Sequence, residues 1–328
     1  MLIILIKEKV CLFLIFLIKY LLTGGDNMQK NYEEFFLGLK EPNFLVMKLL
    51  YELFQKFESD ELSRRIVDNI SVLSQYDIRL LYGEDSSNYV YSEDDLSRID
   101  YAITTCGSKQ IACHEFGHLL LDLFARGEVP EEFSEVNEEC KKRLTDNKEG
   151  ISCLLRQYCD ETFKKLMVDI TNPLGFYNRH PELRDEYFKK HPESSEDDLV
   201  EDILIDHFNL ISSFDRNIDN CNRVANIIDA IFCGNNPFFL EYGNEQVDPV
   251  LAMHHDEYFE TGDYGPLVMG FEEQFADYLV LRTYPEEMKE ARCVLREILG
   301  DEWFSMMDNF YDKVTSRVCE KGKVYQYK

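Results

Sequence analysis

In the stretch His114-Glu115-Phe116-Gly117-His118, residue type and spacing together suggest chemistry. Side chains four positions apart on an α-helix lie one above the other, so the imidazoles of His114 and His118 can face a single ion. Glu115 is turned about 100° from His114 around the helix axis. That sets its carboxylate beside the ion instead of on it, where it can take a proton from water. A catalytic zinc site uses three protein ligands and keeps one position open, so a further ligand has to come from elsewhere in the chain. Phe271-Glu272-Glu273-Gln274-Phe275-Ala276-Asp277 offers one, because Glu273 and Asp277 share a helix face. Glu273 is expected on the metal. Asp277 is expected to accept a hydrogen bond from a ligand imidazole, fixing its tautomer and raising its basicity. Glu272 points elsewhere in this reading, and the cofactor implied is one Zn2+ per chain.

The elements that must position these groups follow from the apolar periodicity. From Ser108, read as an N-cap, Ile111, Phe116, Leu119, Leu120, Leu123 and Phe124 recur at helical spacing until Gly127 and Pro130. Phe271 to Leu281 reads as a second helix ending at Tyr284-Pro285, and Asn222 to Cys233 as a third. Ahead of them, residues 31–75 predict two or three helices. The runs Ile78 to Tyr82, Tyr89 to Tyr91 and Ile99 to Thr105 predict a small sheet. His180-Pro181-Glu182 and His191-Pro192-Glu193 both read as helix entries with proline in the first turn. The acidic run Glu196, Asp197, Asp198, Glu201 and Asp202 reads as a solvated helix start. The last segment, Glu286 to Val318, predicts one or two packing helices.

The resulting organisation is α+β and predominantly helical. An apolar segment spans 1–27, N-terminal helices 28–76, and the first part of a core with the HExxH helix 77–130. A charged helical insertion covers 131–218, and the second part of the core with the glutamate helix and C-terminal helices covers 219–328.

Bulk properties narrow the partners. With 328 residues, 45% of them hydrophobic, the chain can bury a large core. Its net charge of -27 would repel a phosphate backbone, which excludes nucleic acid and favours a basic or neutral protein or peptide substrate. The ten cysteines form no CxxC pair and read as reduced thiols of a cytoplasmic protein. Leu2 to Leu22 is mostly apolar, but Lys7, Glu8 and Lys9 leave only Val10 to Ile18 unbroken. That run falls short of the roughly 20 residues needed to span a bilayer. Two readings stand for this end: Met28 is the true start, or residues 1–27 are retained and direct the protein to a membrane or out of the cell.

HEFGH followed much later by the E-x-x-x-D of Glu273 and Asp277 resembles the gluzincin zinc metallopeptidases. The surrounding EEQFADY is similar to lethal-factor-like and phage-associated zincin domains. Ile228-Asp229-Ala230-Ile231-Phe232-Cys233-Gly234 and then His254-His255-Asp256-Glu257-Tyr258 stand in the order of that pattern. The resemblance covers about residues 99–125 and 219–284 and departs from the family in the long separation of His118 from Glu273. It implies a zincin-like core, a small sheet with the HExxH and glutamate helices, interrupted by the helical insertion, and by analogy an edge strand at 99–105 open to an extended substrate. It also implies hydrolysis of peptide bonds by Glu115-assisted attack of zinc-activated water. His254, His255, Tyr258 and Tyr264 are candidate donors to the oxyanion, with His254 and Tyr258 preferred. Two other readings remain: a zincin-fold interaction or regulatory protein that does not cleave, and a chance HExxH whose histidines are core residues.

Overall fold

A computed structural model describes residues 35–36, 38–39, 43–75, 77–82, 88–93, 99–105, 109–155, 181–195, 216–233, 241–242, 245–246 and 265–320. The helices are α1 (Phe44–Phe57), α2 (Glu61–Asp68), α3 (Lys109–Phe124), α4 (Phe133–Asp146), α5 (Pro181–Lys190), α6 (Arg216–Phe232), α7 (Gly265–Thr283), α8 (Lys289–Leu299) and α9 (Asp301–Cys319). The strands are β1 (Asp77–Tyr82), β2 (Asn88–Glu93), β3 (Ile99–Thr105), β4 (Glu241–Tyr242) and β5 (Glu245–Gln246).

Apolar residues at three- and four-residue spacing draw the helices together. Phe116 of α3, fully buried, sets its ring 5.5 Å from Phe54 and 6.0 Å from Phe57 of α1. On α7, Phe271 and Phe275 meet Phe310 of α9 edge-on at 4.9 and 5.7 Å. Truncating such a buried ring to alanine costs about 3–5 kcal/mol. Phe133, Cys140 and Leu144 place α4, the first helix of the segment read as an insertion, in the same interior. The start of α8 shows how tightly these helices are tied. Its own N-cap residue, Met288, makes no side-chain cap, and Asn220 of α6 supplies the acceptor instead, its Oδ1 taking the Ala291 N–H at 2.8 Å.

The α+β fold class with a zincin-like core is corrected by this architecture. The packed body that carries the candidate site is helical, its described interior filled mainly from α1 to α4 and α6 to α9 and joined by Ile78 of β1. The physical reason lies in the apolar supply. Helices such as FEEQFADYLVLRT and DEWFSMMDNFYDKVTSRVC bury long stripes against one another, whereas the six-residue strands DIRLLY and NYVYSE are too short to offer a comparable apolar face. The short strand pairing lies beside that body and does not define its class.

The edge-strand expectation is also corrected. β3 is central, parallel to β1 and antiparallel to β2, so its backbone groups are engaged on both sides. Pro181 does open α5, whereas Pro192 lies in a turn just past that helix and not in the first turn of a helix. Pro192 explains it, since proline disfavours helical backbone in the residue before it and brings no N–H. Ser108, the acidic run at 196–202 and the whole of 1–27 lie outside the described residues. Among the described residues, no helix is long and apolar enough to cross a membrane, and Cys113, Cys140, Cys153, Cys221, Cys233, Cys293 and Cys319 are free thiols.

Candidate metal centre

α3 is held at both ends. At its start, the Tyr284 hydroxyl reaches the Lys109 carbonyl at 3.4 Å, and Lys109 Nζ lies 3.4 Å from Glu287. At its end, Arg317 of α9 donates to the Phe124 carbonyl at 2.6 Å, satisfying one of the helix's last acceptors. Midway, Gly117 faces α7 so closely that a methyl group there would sit 3.0 Å from Ala276 Cα. The missing side chain lets the HExxH helix and the glutamate helix touch backbone to backbone. Gly270 serves the other side of α7 in the same way, where a methyl would meet the Ala230 carbonyl of α6 at 2.6 Å.

This three-helix contact brings His114, His118 and Glu273 together as a group able to hold a metal ion. His114 Nε2 and His118 Nε2 lie 3.2 Å apart, His114 Nε2 is 3.3 Å from Glu273 Oε2, and His118 Nε2 is 3.4 Å from Glu273 Oε1. Around a small cation, tetrahedral bonds of about 2.05 Å set neighbouring donors roughly 3.3 Å apart, a spacing that the two imidazole nitrogens meet, with a different oxygen of the Glu273 carboxylate approaching each. The two nitrogens and one carboxylate oxygen are also of the type such a cation selects. Asp277 Oδ1 lies 2.8 Å from His114 Nδ1. That leaves the His114 Nε2 lone pair for the shared point.

The electrostatics are those of a desolvated, carboxylate-rich pocket. Burial works against a charged His114, but Asp277 and Glu273 outweigh it and push the imidazole up to about 9. His118 is raised in the same sense, with burial opposed by Glu273. Asp277, with no exposure, is disfavoured by burial yet held below the usual carboxylate range by Arg223 and His114. Glu115 is buried at 5% exposure on α3, and its charge reaches His118. Glu272 does not join the ligand group but is less remote than its sequence position suggests. Burial, only partly opposed by the field of His118 and helped by Asp122 and Glu273, pushes its carboxyl up to about 7.

His254, His255, Tyr258 and Tyr264 lie outside the described residues. The residue that sequence reasoning missed is Arg223. It is 5% exposed on α6, donates through Nη1 to Asp277 Oδ1, and lies 3.0 Å from His114 Nδ1. Its signal was an arginine amid Cys221, Val224, Ile227, Ile228 and Ile231, where an amphipathic helix should be apolar. Compared with known proteins, the chain matches no family model, no curated protein and no solved structure.

Proposed function

We propose that this chain is a zinc-dependent peptidase in which His114, His118 and Glu273 hold one zinc ion and Glu115 is the general base. The observation that carries the reading is the cluster of two imidazole nitrogens 3.2 Å apart, each within 3.4 Å of a Glu273 carboxylate oxygen, built on a helix that also bears a buried glutamate one residue from a proposed ligand. Zinc is favoured by the donor set, two imidazoles and a carboxylate. Once bound, the ion supplies Lewis acidity, acidifying water and polarising a carbonyl.

The chain's own residues supply the rest. Asp277 holds His114 so that Nε2 faces the ion. The Glu115 carboxylate takes the proton of the attacking water and can return it to the departing amine. Enclosure by α3, α6 and α7 keeps bulk water from screening these charges. The net charge of -27 favours a basic or neutral protein or peptide substrate over any polyanion.

The test compares wild type with Glu115→Gln. Both are expected to bind about one zinc per chain, while only wild type changes the terminal-peptide profile of cells expressing it. The loss in cleavage rate should be about 10²- to 10⁴-fold. Identical peptide profiles would leave a metal-binding interaction protein as the better reading.

A further inference from the structure

Three helices converge on one oxygen atom beside the candidate metal centre. His114 Nδ1 of α3 lies 2.8 Å from Asp277 Oδ1 of α7, and Arg223 Nη1 of α6 donates to the same oxygen. All three side chains are enclosed, at 4%, 0% and 5% exposure for His114, Asp277 and Arg223. A carboxylate removed from water to this degree is stable as an anion only when paired and hydrogen-bonded. An imidazole that binds a metal is neutral and offers Asp277 a single N–H. The formal positive charge comes from Arg223, which stays protonated under all ordinary conditions.

The geometry carries a second consequence. The terminal torsion of an aspartate is broad, so one hydrogen bond from one imidazole leaves both the carboxylate and the ring free to swing. A planar guanidinium anchored on a different helix removes that freedom, since its donors keep fixed directions. Its Nη1 also lies 3.0 Å from His114 Nδ1, which limits how far the ring can withdraw from the shared point. The α6 to α7 spacing that makes this reach possible depends on Gly270 meeting the Ala230 carbonyl without a side chain between them.

We infer that Arg223 is a positioning residue for the metal centre: it holds Asp277 Oδ1 in place so that His114 presents Nε2 to the point it shares with His118 and Glu273. This inference rests on the metal-site reading above. It assigns to α6, which carries no ligand, a share in metal affinity.

The test uses the full-length chain and Zn2+ competed against a chromogenic chelator, together with ¹⁵N-imidazole spectra of the zinc-loaded protein. Arg223→Met is expected to keep the wild-type stoichiometry while affinity falls about 10- to 100-fold. The His114 signals should broaden or shift away from the pattern of a protonated Nδ1 and a metal-bound Nε2. The loss should largely disappear when Asp277 is already Asn, because the two residues act in series. Arg223→Gln, shorter but still polar, is expected to behave alike and serves if the methionine variant does not fold. Wild-type zinc affinity and an unchanged His114 spectrum in a folded Arg223 variant would overturn the assignment while leaving the metal site standing. Additive losses with Asp277→Asn would also overturn it, since they would mark Arg223 as a mere tie between helices. A wild-type chain that binds no zinc would remove the site and this role together.

Discussion

Glu273 and Gln274 are neighbours on α7, yet their surroundings differ in kind. Around Gln274, donors and acceptors alternate without conflict. Trp303 Nε1 donates to Gln274 Oε1 at 2.9 Å, Gln274 Nε2 donates to Asn137 Oδ1 at 3.2 Å, and Asn137 Nδ2 donates to the Ile231 carbonyl at 3.1 Å. Around Glu273, two carboxylate oxygens face two imidazole nitrogens, one of them already turned to lone-pair duty by Asp277. The first arrangement is complete with protein atoms alone and ties α4, α6, α7 and α9 together. The second gathers lone pairs toward one point, which is how a protein prepares for a cation. A buried polar cluster is therefore informative through the balance of its donors and acceptors more than through its polarity.

The contrast can be broken most severely at Glu273. Glu273→Ala is expected to abolish stoichiometric zinc binding, read by metal analysis after dialysis, while thermal unfolding of the metal-stripped protein changes little. A large stability loss with metal binding retained would reverse the roles assigned to the two neighbours. Gln274→Leu should do the opposite. It strands the Trp303 N–H and the Asn137 carbonyl, at about 1–3 kcal/mol for each buried group left unpaired. Urea unfolding should show that loss, while zinc affinity per folded chain stays within about threefold, the ordinary spread between independent sites.

Gly117→Ala tests the link between packing and site. A methyl 3.0 Å from Ala276 Cα can be accommodated only by separating α3 from α7, at about 1–3 kcal/mol. Because the ligands straddle those helices, zinc affinity should fall together with stability, and a loss of stability alone would show that the ligands follow independently.

The smallest effect is expected far from the centre, at Asp60. Its carboxylate caps α2 by accepting the Ser63 N–H at 2.9 Å and receives Arg282 of α7 at 2.9 and 3.1 Å. Burial disfavours the charged form, but Ser63 and Arg282 hold the carboxyl below its ordinary 3.8. A depressed carboxylate contributes stability above its unfolded pKa and loses it as pH falls through the folded value. The difference in melting temperature between wild type and Asp60→Asn should therefore be present at neutral pH and close below about pH 4. A gap that persists in acid would show that the aspartate acts through packing.

Much of the site was legible before any tertiary structure. HExxH states its own geometry because helix rotation alone superimposes His114 and His118, and ExxxD does the same for Glu273 and Asp277. The expected bond from Asp277 to a ligand imidazole is present and selects His114. Gly117 within that motif leaves room for a close approach, and Ala276 is what approaches. Less was legible where the partner is remote. Arg223, Asn137 and Trp303 have no local spacing that announces their partners, since each acquires its role from a side chain on another helix. The strand-like runs at 78–82, 89–91 and 99–105 invited a sheet-based core, but alternation reports only a local backbone preference. Which surfaces bury most apolar area is settled elsewhere, and here the helices supply it.

What the sequence determines by itself is thus whatever a single helix turn can encode: which residues share a face, where a proline ends a segment, and that two imidazoles and a glutamate can work side by side. The tertiary structure alone decided that Glu273 arrives within 3.3 to 3.4 Å of both imidazoles and that α6 contributes a buried arginine behind them. The reason is one of range. Local periodicity acts through bonds a few residues long, whereas convergence of separate helices depends on which apolar faces and glycine gaps fit one another, a property of pairs of surfaces that neither segment carries alone.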